Sequence, residues 1–161
     1  MTSTAHHETT ITADPDVPLI RITREFDAPR EKVFRAHVDP DLVARWLGPR
    51  GLEMRIDHYD CRTGGSYRYL HIQGGEEYAF HGSFHEVRPE ELIVQTFTFE
   101  GWPDGVALEK LRLEDLGGDR TRLVATSLCD SFADRDAMLA SGMEVGVVEG
   151  YAKLDELLAA G

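Results

Sequence analysis

Between residues 66 and 99, large apolar side chains alternate with polar ones, which is the pattern of half-buried β-strands. Gly74 and Gly75 divide this stretch and are a signal for a two-residue hairpin turn. A turn at these glycines predicts a definite register between the two flanking strands, with Tyr67 opposite Gly82, Tyr69 opposite Phe80 and His71 opposite Tyr78.

Pro89 and Glu90 are the signal for a second tight turn. It predicts a further register, with Phe80 opposite Phe99, Gly82 opposite Phe97 and Phe84 opposite Gln95. Because side chains alternate between the two faces of a strand, both turns together place the aromatic rings on one face of a sheet. We expect this face to be the wall of a pocket, and the alternative is that its rings fill an ordinary core.

The remaining pattern predicts a strand at about residues 18–26, two short helices that begin near Pro29 and Pro40, and a half-buried strand at 52–61. Gly117, Gly118 and Asp119 fit a three-residue turn, which sets Leu113 opposite Leu123 and Leu111 opposite Ala125. Six consecutive strands joined by short turns predict an antiparallel, strongly curved meander.

A long C-terminal helix is predicted from apolar residues at helical spacing. They are Met143, Val147, Tyr151, Leu154 and Leu158. Ser131 and Asp134 resemble a capping box, and the part before Gly142 is either the start of this helix or a separate turn. Gly142, Gly146 and Gly150 form a smooth stripe, explained either by close packing against the sheet or by room left for a ligand.

Composition predicts one domain and disfavours several kinds of partner. The chain has 161 residues and a formal net charge of −12, which repels nucleic acid and anionic membrane surfaces. It contains no apolar stretch long enough to span a bilayer and no signal-peptide pattern, so a cytoplasmic location is expected. Cys61 and Cys129 are expected to be free thiols. Residues 1–16 are predicted to be a mobile tail, and residues 17–161 a single domain.

Four segments carry a family resemblance. They are FDAPREKVFRAHVDPDLVARWLGP (26–49), DCRTGGSYRY (60–69), HGSFHEVRPEELIVQTF (81–97) and SGMEVGVVEGYAKLDELL (141–158). With the order of elements, they resemble the START-like (SRPBCC, helix-grip) superfamily, and within it bacterial proteins related to the C-terminal domain of the activator of the ninety-kilodalton heat-shock protein ATPase. The resemblance implies an α+β fold in which a curved seven-stranded antiparallel sheet surrounds the C-terminal helix, with two short helices after the first strand.

The resemblance also implies a cavity for a small hydrophobic or aromatic molecule between sheet and helix. Two other functions stay open: a cyclase, aromatase or hydrolase in the same pocket, and a co-chaperone-like protein that binds a chaperone ATPase. Relatives on this fold differ in activity, so it implies no catalytic residues. A homodimer that pairs through an exposed edge strand or through the Trp102 loop is a further hypothesis, which the sequence does not specify. The sequence specifies neither the ligand, nor a reaction, nor a pathway.

The predicted ligand-binding residues combine the aromatic face, the helix stripe and both tryptophans. They are Trp46, Tyr67, Tyr69, His71, Tyr78, Phe80, Phe97, Phe99, Trp102, Met143, Val147 and Tyr151. His71 and Tyr78 are candidates for acid–base chemistry, and the alternative is a His71 near the sheet rim that is merely hydrogen-bonded or solvated. No metal and no cofactor is expected, because His81 and His85 are too far apart along a strand and dinucleotide and phosphate-loop motifs are missing from the sequence.

Overall fold

Eight strands and four helices follow one another over residues 7–161, the part of the chain that the computed structural model describes. The strands are β1 Thr10–Ala13, β2 Leu19–Phe26, β3 Glu53–Tyr59, β4 Ser66–Gln73, β5 Glu76–Arg88, β6 Leu92–Phe99, β7 Ala107–Gly117 and β8 Arg120–Leu128. The helices are α1 Arg30–Val38, α2 Pro40–Trp46, α3 Phe132–Ala140 and α4 Met143–Ala160.

The strands form one antiparallel sheet in the order β1-β2-β8-β7-β6-β5-β4-β3. Strands β3 to β8 are neighbours in chain order, which confirms the predicted six-stranded meander. The α+β helix-grip architecture is therefore as the resemblance implied. Its sheet curls around α4. Strand β2 extends the meander by pairing with β8, with Phe26 opposite Thr121.

The predicted count of seven strands is wrong, because β1 adds an eighth. This strand pairs with β2, with Thr10 opposite Thr23 and Ala13 opposite Ile20. It lies inside the segment that was expected to be a mobile tail, of which residues 1–6 fall outside the described part. The β-branched run around Ile11 favours an extended backbone, and Ile11 packs against the core. A four-residue strand with one large apolar side chain gives too little alternation to be recognised from sequence.

The aromatic hairpin has the predicted register, and its two-residue turn at Gly74 and Gly75 brings Gln73 opposite Glu76. The observed pairs include Tyr67 with Gly82, Tyr69 with Phe80 and His71 with Tyr78. Both glycines adopt positive φ, at 57° and 85°, which is the conformation that this type of turn requires.

The β5–β6 hairpin forms the predicted ring pairs, although its turn differs from the predicted one. Arg88 pairs with Leu92, so the turn contains one residue more than Pro89 and Glu90. A β-bulge between Phe84 and Glu86 offsets this extra residue, and the expected pairs Phe80 with Phe99 and Phe84 with Gln95 form. In the β7–β8 hairpin, Leu113 lies opposite Leu123 and Leu111 opposite Ala125, as predicted.

The two short helices form an elbow beside the sheet. The Asp39 side chain accepts a hydrogen bond of 3.0 Å from the backbone N–H of Asp41, and Pro40 occupies the first turn of α2. The Trp46 indole N–H donates to the Ala36 carbonyl at 2.9 Å and ties α2 to α1. Pro29 is the residue before α1 and adopts an extended conformation, whereas an early position inside the helix was expected.

Helix α3 is separate from α4, which settles the alternative that the sequence left open. Gly142 has φ of 90° and interrupts the helical backbone between them. The Ser131 side chain accepts from the N–H of Asp134 at 3.1 Å, as the capping pattern predicted. In α4 the predicted apolar stripe packs on the core, with Leu154 fully buried and Tyr151 meeting Phe26 edge to face at 5.4 Å.

Two glycines of the stripe, Gly146 and Gly150, face the end of the elbow and not the sheet, whereas an added Cβ on Gly142 would meet no atom within 4 Å. A Cβ on Gly150 would lie 3.2 Å from the Trp46 carbonyl oxygen and 3.3 Å from the Gly48 nitrogen. A Cβ on Gly146 would lie 3.4 Å from Cδ of Pro49, which is an ordinary contact. Close packing therefore explains Gly150, although the partner differs from the predicted one.

Candidate functional site: an aromatic cavity with a carboxyl group in its wall

A cavity of about 800 Å³ lies between the sheet and α4, with the elbow at one side. Its wall is mainly apolar and includes every residue that the sequence predicted for the site. They are Trp46, Tyr67, Tyr69, His71, Tyr78, Phe80, Phe97, Phe99, Trp102, Met143, Val147 and Tyr151. The aromatic face of the meander and the apolar stripe of α4 thus border one shared space.

The rings on the sheet form a continuous stacked series across three strands. Ring centroids are 5.9 Å apart between Tyr67 and Tyr69, and 5.3 Å apart between Tyr69 and Phe80. Phe80 stacks in turn on Phe97 at 5.4 Å. Burial raises the pKa of the Tyr67 and Tyr69 phenols well above the ordinary range, so both hydroxyls stay protonated. The series forms a rigid, aromatic side of the cavity.

Exposed apolar side chains mark the mouth of the cavity. Tyr78, Phe99 and Trp102 border the cavity and are also open to solvent, with Trp102 51% exposed. The Trp102 backbone N–H donates to the Phe99 carbonyl at 2.9 Å, and this hydrogen bond forms the turn that follows β6. Trp46, in contrast, is 4% exposed and stacks on Tyr151 at 6.0 Å, so its indole anchors the elbow to α4.

His71 and Tyr78 lie opposite each other, but their polar atoms do not meet. The Tyr78 hydroxyl donates to Oε2 of Glu76 at 2.8 Å, outside the cavity. His71 is buried beside Gly48, where an added Cβ would lie 2.5 Å from its Cε1, and its Nδ1 has no hydrogen-bond partner among the described residues. Burial and the charge of Lys153 lower the pKa of His71, which favours a neutral ring. His71 is thus buried in the cavity wall, and a role of this residue or of Tyr78 in acid–base chemistry stays a prediction.

Sequence reasoning missed a row of polar side chains on the inner face of the sheet. Gln95, Glu109 and Ser127 are direct neighbours on β6, β7 and β8. The Ser127 hydroxyl donates to Oε2 of Glu109 at 2.7 Å, and the Gln95 amide lies 3.4 Å from Oε1. The same amide donates to the Tyr67 hydroxyl at 3.2 Å. The row links the aromatic series to a carboxyl group in the cavity wall.

Glu109 is partly buried and borders the cavity. Burial raises its pKa, and the hydrogen bonds from Ser127 and Gln95 oppose this rise. No Lys, Arg or His among residues 7–161 forms an ion pair with it. The sequence signal was present, because Glu109 has the same parity on β7 as Leu111 and Leu113, and side chains of one parity share a face of the sheet.

His37 is a second buried polar group on the cavity wall. Its Nδ1–H donates to the Val33 carbonyl at 2.7 Å, which leaves Nε2 as an acceptor without a partner in the described part of the chain. Burial lowers the pKa of His37 to about 4. The ring is therefore neutral at physiological pH.

The described residues form neither a metal site nor a membrane-spanning helix. Over the described residues there is no group of three or more His, Cys, Asp or Glu side chains arranged to hold a metal ion. Within the same part of the chain, no helix has the length and apolarity needed to cross a membrane.

A curled antiparallel sheet that holds a long C-terminal helix over an internal cavity defines a helix-grip protein of the START-like class. Residues 27–159 match the model of the family described as "Activator of Hsp90 ATPase homolog 1-like protein". This match covers most of the chain, and the protein belongs to that family. The resemblance carried by the four sequence segments is confirmed.

Solved structures with the same fold come from several bacteria. A protein from Rhodobacter sphaeroides is 26% identical with a TM-score of 0.84, covering 94% of this chain and 98% of its own. One from Chromobacterium violaceum is 28% identical with a TM-score of 0.75, covering 87% and 96%. One from Mycobacterium smegmatis, at 24% identity and a TM-score of 0.83, covers 95% and 99% and shows the fold alone. No protein of curated function matched.

Proposed function

We propose that this protein binds a small hydrophobic molecule in the cavity between its sheet and α4. The observation that carries this proposal is the cavity itself, about 800 Å³ in volume with a mainly apolar wall. Pockets that enclose small molecules in proteins range from about 300 to 1,000 Å³ and are lined in the same way. A chain that needed only a core would gain stability by filling this space.

The arrangement of the rings supports a flat or aromatic guest. The stacked series from Tyr67 to Phe97 is one wall, and Met143 and Val147 of α4 border the same space. Exposed Trp102 and Phe99 at the mouth give an apolar route for entry.

Thermal unfolding in the presence of a panel of hydrophobic molecules tests the proposal. A ligand that binds the folded state raises the melting temperature, so we expect at least one member of the panel to do so. Val147→Trp should narrow the cavity beside α4 and weaken this shift. The matched control is Val148→Trp, because Val148 is 42% exposed and does not border the cavity.

Two results would contradict the proposal. One is a panel in which no molecule raises the melting temperature of the wild-type protein. The other is a stabiliser that acts equally on Val147→Trp and on the wild type, because its binding site would then lie elsewhere.

One observation favours an enzyme in the same pocket as the second candidate. A partly buried carboxyl group with a raised pKa, such as Glu109, is a common general acid or base. If the protein hydrolyses chromogenic aryl esters, we expect Glu109→Gln to abolish turnover and retain binding. Turnover that survives in Glu109→Gln and is lost in a His71→Gln, Tyr78→Phe double variant would assign the chemistry to that pair.

The family description supports a third hypothesis, in which the protein regulates a heat-shock ATPase. It stays a prediction for this chain. Addition of the purified protein to such an ATPase should raise the rate of ATP hydrolysis, and an unchanged rate would contradict it. The Val147→Trp variant separates the two roles, because a surface-mediated regulator does not need the cavity.

A further inference from the structure

The carboxyl group of Glu109 has hydrogen-bond donors around it but no positive charge. Ser127 donates to Oε2 at 2.7 Å, and the Gln95 amide is directed at Oε1 from 3.4 Å. An ionised carboxylate accepts about four hydrogen bonds. Acceptor capacity therefore remains on the side that borders the cavity.

The neighbouring hydrogen bonds favour the ionised form of this group. The Tyr67 hydroxyl donates to the Thr96 carbonyl at 2.7 Å, so its oxygen accepts from the Gln95 amide at 3.2 Å. Gln95 in turn presents an N–H to Glu109. The row is thus arranged to offer donors to a negative group at its centre, and hydrogen bonds to a charged form stabilise that form.

The charged groups on the cavity wall leave this negative charge uncompensated. Three carboxyl groups border the cavity, those of Glu109, Asp130 and Asp134. Lys110 also borders the cavity, but it follows Glu109 on β7, and successive side chains of a strand point to opposite faces. Lys110 is exposed and lines a shallow cleft together with Arg88 and Arg112. A partly buried charge without a partner is unfavourable, and a cation supplied by a ligand would offset that cost.

We propose that the ligand of this cavity is a cationic amphiphile, with an aromatic or aliphatic body against the stacked rings and an ammonium group that donates to Glu109. This inference rests on the proposed function and adds the chemical class of the ligand. The aromatic wall fits the same class, because the faces of tyrosine and phenylalanine rings attract cations.

A matched pair of probes tests the inference at neutral pH. Naphthylmethylamine carries an ammonium group, and naphthylmethanol has nearly the same shape without the charge. Binding of each is measured by calorimetry to the wild type, to Glu109→Gln, and to Glu114→Gln as a control. Glu114 is on the same strand with the opposite parity, and its side chain is 52% exposed.

We expect the wild type and Glu114→Gln to bind the amine at least about tenfold more tightly than the alcohol, as a charge-assisted hydrogen bond predicts. Glu109→Gln should lose most of this preference, and its affinity for the alcohol should change by less than about threefold. Equal affinity of the wild type for both probes overturns the inference even if Glu109→Gln fails to fold.

The same experiment separates this inference from the proposed function. Tight binding of both probes without a preference for the amine retains hydrophobic binding and overturns only the cationic class. A preference for the amine that persists in Glu109→Gln places the ammonium group elsewhere and also overturns the inference. If neither probe binds, both proposals fail for ligands of this size.

Discussion

The Tyr67 hydroxyl donates a hydrogen bond of 2.7 Å to the backbone carbonyl of Thr96, across the position that a Cβ on Gly82 would occupy. That Cβ would lie 1.9 Å from the Thr96 oxygen and 2.7 Å from the Tyr67 oxygen. The glycine in the middle of β5 is therefore what lets the ring reach across to β6, and it positions the first ring of the aromatic wall.

Gly82→Ala should accordingly destabilise the protein strongly. Relief of the clash must move backbone or the Tyr67 ring, and we expect a loss of about 3 kcal/mol in the free energy of unfolding. Urea denaturation measures the loss. Ser83→Ala, a change at the next, exposed position, is the control and should cost less than about 0.5 kcal/mol. A Gly82→Ala variant as stable as Ser83→Ala would contradict the role of Gly82.

The helix glycines should respond differently to alanine. Replacement of a helix glycine by alanine stabilises a helix by about 1 kcal/mol where the methyl group fits. At Gly146 it fits, because the nearest atom is Cδ of Pro49 at 3.4 Å. At Gly150 it meets the backbone of Trp46 and Gly48 at 3.2 and 3.3 Å.

Gly146→Ala should therefore be more stable than Gly150→Ala by about 1 kcal/mol in thermal or urea unfolding. The two variants control for each other, since both make the same chemical change on the same helix. The opposite order would show that the elbow does not pack on α4 at Gly150.

His37 should make the protein less stable in mild acid. Its pKa is lowered from 6.5 to about 4 by burial, so the unfolded chain binds the proton more readily than the folded one. The stability present above pH 6.5 is then lost as the pH falls toward 4. From this shift we expect a loss of about 2 kcal/mol between pH 7 and pH 5.

Urea denaturation at the two pH values measures this loss, and His37→Gln should remove it. His85→Gln, a replacement on the exposed face of β5, is the control and should retain the wild-type dependence. A His37→Gln variant that loses as much stability as the wild type would assign the acid sensitivity to other groups.

Glu109 should have the opposite effect on the pH dependence. Burial raises the pKa of Glu109 above the ordinary value of a glutamate, so the folded state holds the proton more tightly than the unfolded state. The stabilisation of the folded state that comes from this raised pKa is fully present below about pH 4.5, and it is lost as the pH rises through the pKa that Glu109 has in the folded protein. Glu109→Gln keeps a neutral group there, so its stability relative to the wild type should increase from pH 5 to pH 8.

Denaturation of both proteins at these pH values checks the direction, and Glu114→Gln controls for removal of one charge from β7. A stability difference between Glu109→Gln and the wild type that stays constant or decreases with pH would contradict a raised pKa at Glu109.

The two tryptophans should report separately on the core and on the cavity mouth. Trp46 is 4% exposed and Trp102 is 51% exposed. The Trp102→Phe variant, which retains the buried indole, should emit at shorter wavelength and resist acrylamide quenching. Trp46→Phe should give red-shifted, readily quenched emission, and equal quenching of the two variants would contradict the placement of Trp102 at the rim.

Sequence reasoning predicted the fold well where local signals decide it. Gly74 and Gly75 specify a turn, and the alternation of side chains then determines which rings share a face. The prediction survived an error in the turn after Arg88, because the β-bulge near Phe84 compensates for the extra turn residue. Such compensation cannot be read from turn residues alone.

The predicted site was incomplete for a related reason. Ring parity indicated the aromatic wall, but Glu109 was overlooked because the leucines on its face suggested an apolar surface. What distinguishes Glu109 is its position between Ser127 and Gln95, which come from neighbouring strands distant in sequence. The short β1 strand was missed because pairing with β2, and not its own composition, orders it.

By itself, the sequence determined the order of the elements, the two aromatic registers and the apolar stripe of α4, since these depend on backbone periodicity and turn chemistry within short segments. The tertiary structure alone decided that a space remains between α4 and the sheet, that the glycines of α4 meet the elbow, and that a carboxyl group without an ion-pair partner among the described residues borders that space. Those features depend on distances between elements that are far apart in the chain, and local residue patterns carry no measure of such distances.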